Sequence, residues 1–399
     1  MKRVILIGVV IIELAAAMTL VPRTDRNRLQ TTDFVNFYAA ASIVRHGDGA
    51  ALYRRETQDA VLQSILGHKS TKYFLHPPFE AAAFVPLSYL RIEQAFVVWS
   101  LINVGLLGLL PLVLTPCVPL VARRPYLGLL EFVFLPALTA LTLGQDSILL
   151  LFVLSLFYRL LHRKQEGAAG LVLALAAIKF QYLLILVPLL LVAQKFRVVA
   201  GFGAGGAGLV LLSAQIIGRS GLIAYLRFVR TFDLQLGYGS LDPTLMVNWR
   251  GFLAGMGVTA NLRTYAWIGG ILLFVVGLAR SKLFDTARNQ GLVFALYVTI
   301  ALAAAPYAYF PDMTVLLLPI LLAMDHVAAA RTAKAVDHLI AFCCVLMFVW
   351  PVLLLVVGAH YWWNSRIYLT FPLIVLFLAA VASEARPAMG VFANRKPTN

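Results

Sequence analysis

Apolar runs of about twenty residues recur along this chain from its start to near its end. In lipid, backbone N–H and C=O groups find no water, so a spanning segment of that length must satisfy them internally as an α-helix. The expected fold is therefore an all-α polytopic membrane protein. Of the 399 residues, 61% are hydrophobic and 13% charged, whereas a soluble domain is closer to half apolar and a quarter charged. No stretch is large or polar enough for a separate soluble domain, so residues 1–399 read as a single transmembrane domain.

Spans are expected near 4–22, 93–115, 127–142, 147–161, 167–178, 181–194, 199–218, 264–280, 289–305, 312–326, 338–358 and 366–383, about twelve with a range of 10–13. Three of these, at 127–142, 167–178 and 181–194, fall short of a straight crossing, and the last two could be fused at Lys179-Phe180-Gln181. The net charge of +15 is not spread as in a nucleic-acid binder, and no nucleic-acid partner is expected. Lys and Arg gather at alternate span ends: Lys2 and Arg3; Arg123 and Arg124; Arg159, Arg163 and Lys164; Lys195 and Arg197; Arg280, Lys282 and Arg288; Arg331 and Lys334. The positive-inside rule then puts both termini, and the tail at 384–399, in the cytoplasm. The Lys-Arg start and "LAAA" of the first segment also fit a cleaved signal peptide, but its length and Glu13 favour a retained span. Cys117, Cys343 and Cys344 lie in or beside apolar segments, without metal-ligand or disulfide spacing.

Two long outside loops, 23–92 and 219–263, break the alternation. In the first, Phe34, Phe37, Tyr38, Ala41 and Val44 follow helical spacing, and Gly47-Asp48-Gly49 ends the pattern. The apolar run at 79–90 is too short to span, and Pro77-Pro78 with Glu80 suits a helix start. Both helices are expected to lie in the outer interface.

Asp33, Asn36 and Ala40 share a face away from the apolar stripe. Asp33 can be a helix cap or a cavity-facing acid, and the adjacent Thr31 and Thr32 could cap equally well. On the same expected side fall His76, Gln145 and Asp146 in "LGQDS", Lys179 in "AAIKFQYL", Arg250 in "NWRGF" and Asp312 in "APYAYFPD". Each alone reads as a snorkelling or capping residue. Together they suggest an outward site for an anionic substrate.

The succession "TDFVNFYAAASIVRHGDGAALY", "YFLHPPFEAAAFVPL", "GQ", "AIK" and "PYAYFPD" resembles bacterial glycosyltransferase family 87 over residues 30–325. That family comprises GT-C enzymes related to polyprenol-phosphate-mannose-dependent α-1,2-mannosyltransferases. The resemblance implies a GT-C fold and an inverting transfer of mannose, or another hexose or pentose, from a polyprenyl-phosphate donor to a lipid or glycan acceptor. The site would face outward from the bacterial cytoplasmic membrane, among membrane lipids. It points to Asp33 as the catalytic base, with Asn36, Tyr38, His76, Gln145, Lys179, Arg250, Tyr307 and Asp312 as substrate-binding candidates. No cofactor is expected; a divalent ion bridging Asp33 and Asp312 stays open. The rival reading is a secondary transporter or flippase, built around the mid-span acids Glu13 and Glu131.

Overall fold

The computed structural model describes residues 29–68, 70, 72–231, 242–258, 262–280, 290–330, 332–357 and 367–385. The expected span at 4–22, Glu13 within it and nearly all of the tail lie outside the described residues. Every regular element among the described residues is a helix. The first loop holds α1 (Phe34–Arg45), α2 (Arg55–Leu66) and α3 (Pro78–Phe84). It is followed by α4 (Ile92–Leu114), α5 (Pro119–Arg123), α6 (Leu135–Leu143), α7 (Ser147–His162), α8 (Glu166–Ala174), α9 (Phe180–Val192) and α10 (Phe196–Thr231). Then come α11 (Trp249–Gly255), α12 (Leu262–Arg280), α13 (Gln290–Ala304), α14 (Leu317–Ala329), α15 (Ala335–Val357) and α16 (Thr370–Glu384).

Among the described residues, six helical stretches have the length and apolar composition to cross a membrane: 92–114, 166–192, 196–229, 310–329, 335–354 and 367–384. The pair Pro125–Phe132 and Leu135–Leu143, bent by 51°, makes up to seven. The expected count of about twelve is not confirmed by this measure: the span at 4–22 lies outside the described residues, and several of the other apolar helices are short. α7, α13 and the Gly269–Leu278 part of α12 are apolar, yet each runs only 10–17 residues.

The stretch 166–192 is not a straight rod. Glu166 Oε1 and Lys195 Nζ lie 2.9 Å apart, whereas the ends of a straight helix of 27 residues would be about 40 Å apart. α8 and α9 therefore double back on each other, joined by the tight 3-10 turn Leu175–Lys179. Lys179 sits where the hairpin turns. At the bundle centre, α13 is buried on every side from Leu292 to Ala303, which explains a sequence apolar all round. α7, α13 and α14 run between the bundle's two ends. At one end, residues 145, 307 and 312 line a common cavity; at the other, residues 158, 290 and 326 line a second.

The first loop departs most from expectation. α1 is packed inside the protein and does not lie on its surface: Phe34, Val35, Asn36, Phe37, Ala39, Ala40, Ala41, Ser42 and Ile43 are all buried. The small residues opposite its aromatic stripe let neighbouring chain approach closely. The stripe itself packs in a second apolar core with Phe74, Phe84, Phe96 and Trp99. Phe37 stacks on Phe84 at 4.8 Å between ring centroids. α2, an extra helix in this loop, stops at Gly67 in the left-handed conformation.

Part of the second loop is also helix. Gly218 (φ 65°, ψ 179°) breaks α10 with a non-helical residue, and a second helical stretch follows it to Thr231. The continuation brings Tyr225 and Phe228 within 4.8 Å and 5.4 Å of the Tyr53 ring, roofing the first loop.

Candidate active site

The turn between α6 and α7 fixes the site. Gly144 adopts φ 65°, and a Cβ there would fall 2.7 Å from Phe34 Cβ. Only glycine allows both that conformation and that approach. The turn is then tied down on two sides. Asp33 N–H donates to Leu143 O at 2.9 Å, and Trp99 Nε1–H donates to Gly144 O at 2.9 Å. This seats the start of α1 against the turn, and Gln145 comes to face Asp33.

Asp33 makes no side-chain cap to α1. Its Oδ1 accepts from Lys72 Nζ at 2.6 Å, and its Oδ2 accepts a short hydrogen bond from Gln145 Nε2. The Asp33 side chain is 19% exposed and that of Lys72 32%. The Gln145 carbonyl oxygen takes a hydrogen bond from Lys179 Nζ at 3.3 Å. Lys179 in turn pairs with Asp312 Oδ1 at 2.5 Å and Asp146 Oδ1 at 2.9 Å. Asp312 is fully engaged: Ser147 Oγ donates to Oδ1 at 3.0 Å, and Tyr309 N–H to Oδ2 at 2.8 Å.

His76 stands beside this chain of contacts, its ring 4.8 Å from that of Phe37. Its Nδ1 lies 3.0 Å from Glu80 Oε2 and 3.6 Å from Asp146 Oδ2. Burial works against the imidazolium, but the Glu80 carboxylate, and beyond it Asp146, outweigh burial and push His76 up to about 9. Burial in turn raises Glu80.

Beside this network lies a cavity of about 370 Å³. Asp33, Asn36, His76, Gln145, Lys179, Tyr307 and Asp312 all border it. Asn36 Oδ1 is buried with no hydrogen-bond partner among the described residues, an acceptor on the cavity wall. Tyr38 and Arg250 do not line the cavity. The Tyr38 hydroxyl donates to Leu90 O at 2.7 Å, directed away by the turn of α1. The Arg250 guanidinium packs over the Tyr307 ring at 5.4 Å and donates to Pro306 O at 3.4 Å, so Tyr307 stands between it and the space. Glu131 is not among the lining residues either; it is buried within the bent pair.

Lys72 is the cavity residue that sequence reasoning missed. It lies 39 positions from Asp33, and no helical or strand periodicity links the two. Glu80 reads in the sequence as a helix-start charge, although its partner His76 stands only four positions before it; Asp146 reads as a turn residue because its partner Lys179 is distant in sequence.

A divalent ion bridging Asp33 and Asp312 does not fit: Lys72 and Gln145 hold the first carboxylate, and Lys179, Ser147 and Tyr309 N–H hold the second. His76, Glu80 and Asp146 offer ligand atoms within 4.8 Å of one another. The Lys179 ammonium 2.9 Å from Asp146 already supplies the counter-charge there. Chemically, the arrangement presents a carboxylate and a half-buried ammonium side by side over a floor of buried ion pairs. It can accept a proton and bind an anion in one small space.

No curated protein and no solved structure matches the chain. The family model of glycosyltransferase family 87 matches residues 74–306, more than half of the chain. The match includes His76, Gln145, Lys179 and Arg250, and stops short of Asp33 on one side and of Tyr307 and Asp312 on the other. With a multi-helix apolar bundle and the match running through the wall and floor of its cavity, the chain belongs to glycosyltransferase family 87.

Proposed function

We propose that the chain is an inverting glycosyltransferase that moves a sugar, mannose or another hexose or pentose, from a polyprenyl-phosphate donor to a lipid or glycan acceptor. It would work at the outer face of the bacterial cytoplasmic membrane, with both termini cytoplasmic. The observation that carries this reading is the Asp33 carboxylate: it borders the cavity, is not spent on capping α1, and is held in place by Lys72 and Gln145.

In this mechanism Asp33 takes the proton of the acceptor hydroxyl as the oxygen attacks the anomeric carbon. The bond from that carbon to the phosphate oxygen breaks on the opposite face, which inverts the centre. Lys72 meets the charge of the departing polyprenyl phosphate. Asn36 Oδ1 accepts from a sugar hydroxyl, and Tyr307 offers a ring face to the sugar. Lys179 acts indirectly, since Asp146 and Asp312 already neutralise it: it orients Gln145, which orients Asp33.

The test is incubation of the purified protein with radiolabelled polyprenyl-phosphate sugars and a cell-envelope lipid extract. Transfer that depends on Asp33 supports the reading. Vectorial movement of an unmodified lipid-linked sugar, without transfer, would establish the transporter instead.

A further inference from the structure

A second cavity, of about 560 Å³, lies at the other end of α7, α13 and α14. Three helices bring ionisable side chains into it: His326 from α14, Asp337 from α15 and Glu384 from α16. Each offers one ligating atom, and these atoms all lie within 4.8 Å of one another.

The internal bonding of this cluster is incomplete. Asp337 is 1% exposed. Its Oδ2 accepts the Lys334 backbone N–H at 2.8 Å, while Oδ1 is buried with no hydrogen-bond partner among the described residues. A carboxylate oxygen left so is costly unless a cation or donor reaches it. His326 Nε2 stands 3.5 Å from Glu384 Oε1, which is long for a hydrogen bond. It is close to the roughly 3.4 Å that separates two ligands of a tetrahedral ion at about 2.1 Å each. Among the described residues the ammonium paired with this cluster is Lys334 Nζ, 2.8 Å from Glu384 Oε1, on a side chain that is 58% exposed. The cluster differs in this from His76, Glu80 and Asp146, where Lys179 is buried among the acids.

We propose that His326, Asp337 and Glu384 bind a divalent first-row transition-metal ion that clamps the ends of α14, α15 and α16 together, at the end of the bundle remote from the glycosyl-transfer cavity. One imidazole nitrogen with two carboxylate oxygens is a donor set for an ion of zinc or manganese type. Water completes the coordination from the cavity. The site is independent of the proposed transfer reaction.

The experiment uses the full chain, purified without a histidine tag in detergent and stripped with EDTA. Equilibrium dialysis against Zn²⁺ is followed by elemental analysis, and thermal unfolding is measured with and without Zn²⁺. The expected result is one zinc per chain and a higher Tm with zinc. Asp337→Asn and Glu384→Gln should each weaken zinc binding at least tenfold and lose the zinc-dependent rise in Tm, while His76→Gln keeps both. Should Asp337→Asn yield no folded protein, Glu384→Gln decides by the same readings. No retained zinc, zinc retained unchanged in the folded variants, or zinc lost with His76→Gln would each overturn the proposal.

Discussion

Lys72 Nζ lies 2.6 Å from Asp33 Oδ1, and the carboxylate it holds makes no hydrogen bond to the helix that it precedes. An aspartate at a helix start is ordinarily accounted for by capping. Here the two cavity contacts replace the cap, so changes at this carboxylate should be felt in turnover and scarcely in folding.

Asp33→Asn keeps the size of the side chain and an oxygen for Lys72, but removes the proton acceptor. Loss of a general base typically lowers rate by about 10²–10⁴. The variant should fold and insert as wild type does, with transfer reduced by that factor in membranes holding equal amounts of protein. Near-normal transfer would remove Asp33 as the base.

Lys179→Ala should fail differently. It strands Asp146 and Asp312, both buried, without their shared cation. Breaking a buried ion pair from one side costs about 3–5 kcal/mol. The expected outcome is a low yield of folded protein and a lowered Tm, and Lys179→Met combined with Asp312→Asn should recover part of the loss. A stable Lys179→Ala protein with only a raised KM for donor would make Lys179 a direct phosphate contact.

His76 gives the fold a pH dependence of known sign. Its value in the folded chain is raised from 6.5 to about 9. The stabilisation from its charged form is therefore complete below about 6.5 and disappears as pH climbs through about 9. Thermal unfolding in detergent should show Tm falling across this window, and His76→Gln should flatten the fall. An equal slope in both proteins would place the dependence elsewhere.

Gly144→Ala tests the turn that seats Asp33. The substitution puts a Cβ 2.7 Å from Phe34 Cβ and into a left-handed conformation at φ 65°. Together, left-handed strain and overpacking cost about 2–5 kcal/mol. Both Tm and transfer should drop, whereas Gly47→Ala, where nothing lies within 4 Å of the added carbon, should cost only the strain.

The helical class was legible because apolar run length is a local property. The number of crossings was not, since α7, α8 and α9 are short helices whose adequacy depends on the neighbours that bury their ends. The burial of α1 escaped notice because its aromatic stripe looks like an interfacial face, and Ala39, Ala40 and Ser42 opposite give no signal until a partner packs on them. Seven candidate residues reached the cavity wall. Arg250 did not, because Met246 bridges to Tyr309 and so places α11 behind Tyr307.

Gln145 joins Asp33 to Lys179 through an amide, its NH₂ toward the carboxylate and its oxygen toward the ammonium. An amide rotated by half a turn would set like against like at both ends, so the side chain has one stable orientation and acts as a polarised spacer. It transmits the position of a buried cation to an accessible anion while adding no charge of its own. A glutamate there would repel Asp33, and a lysine would repel Lys179. The space between the two charges can be occupied without penalty only by a group that is neutral and has two different ends.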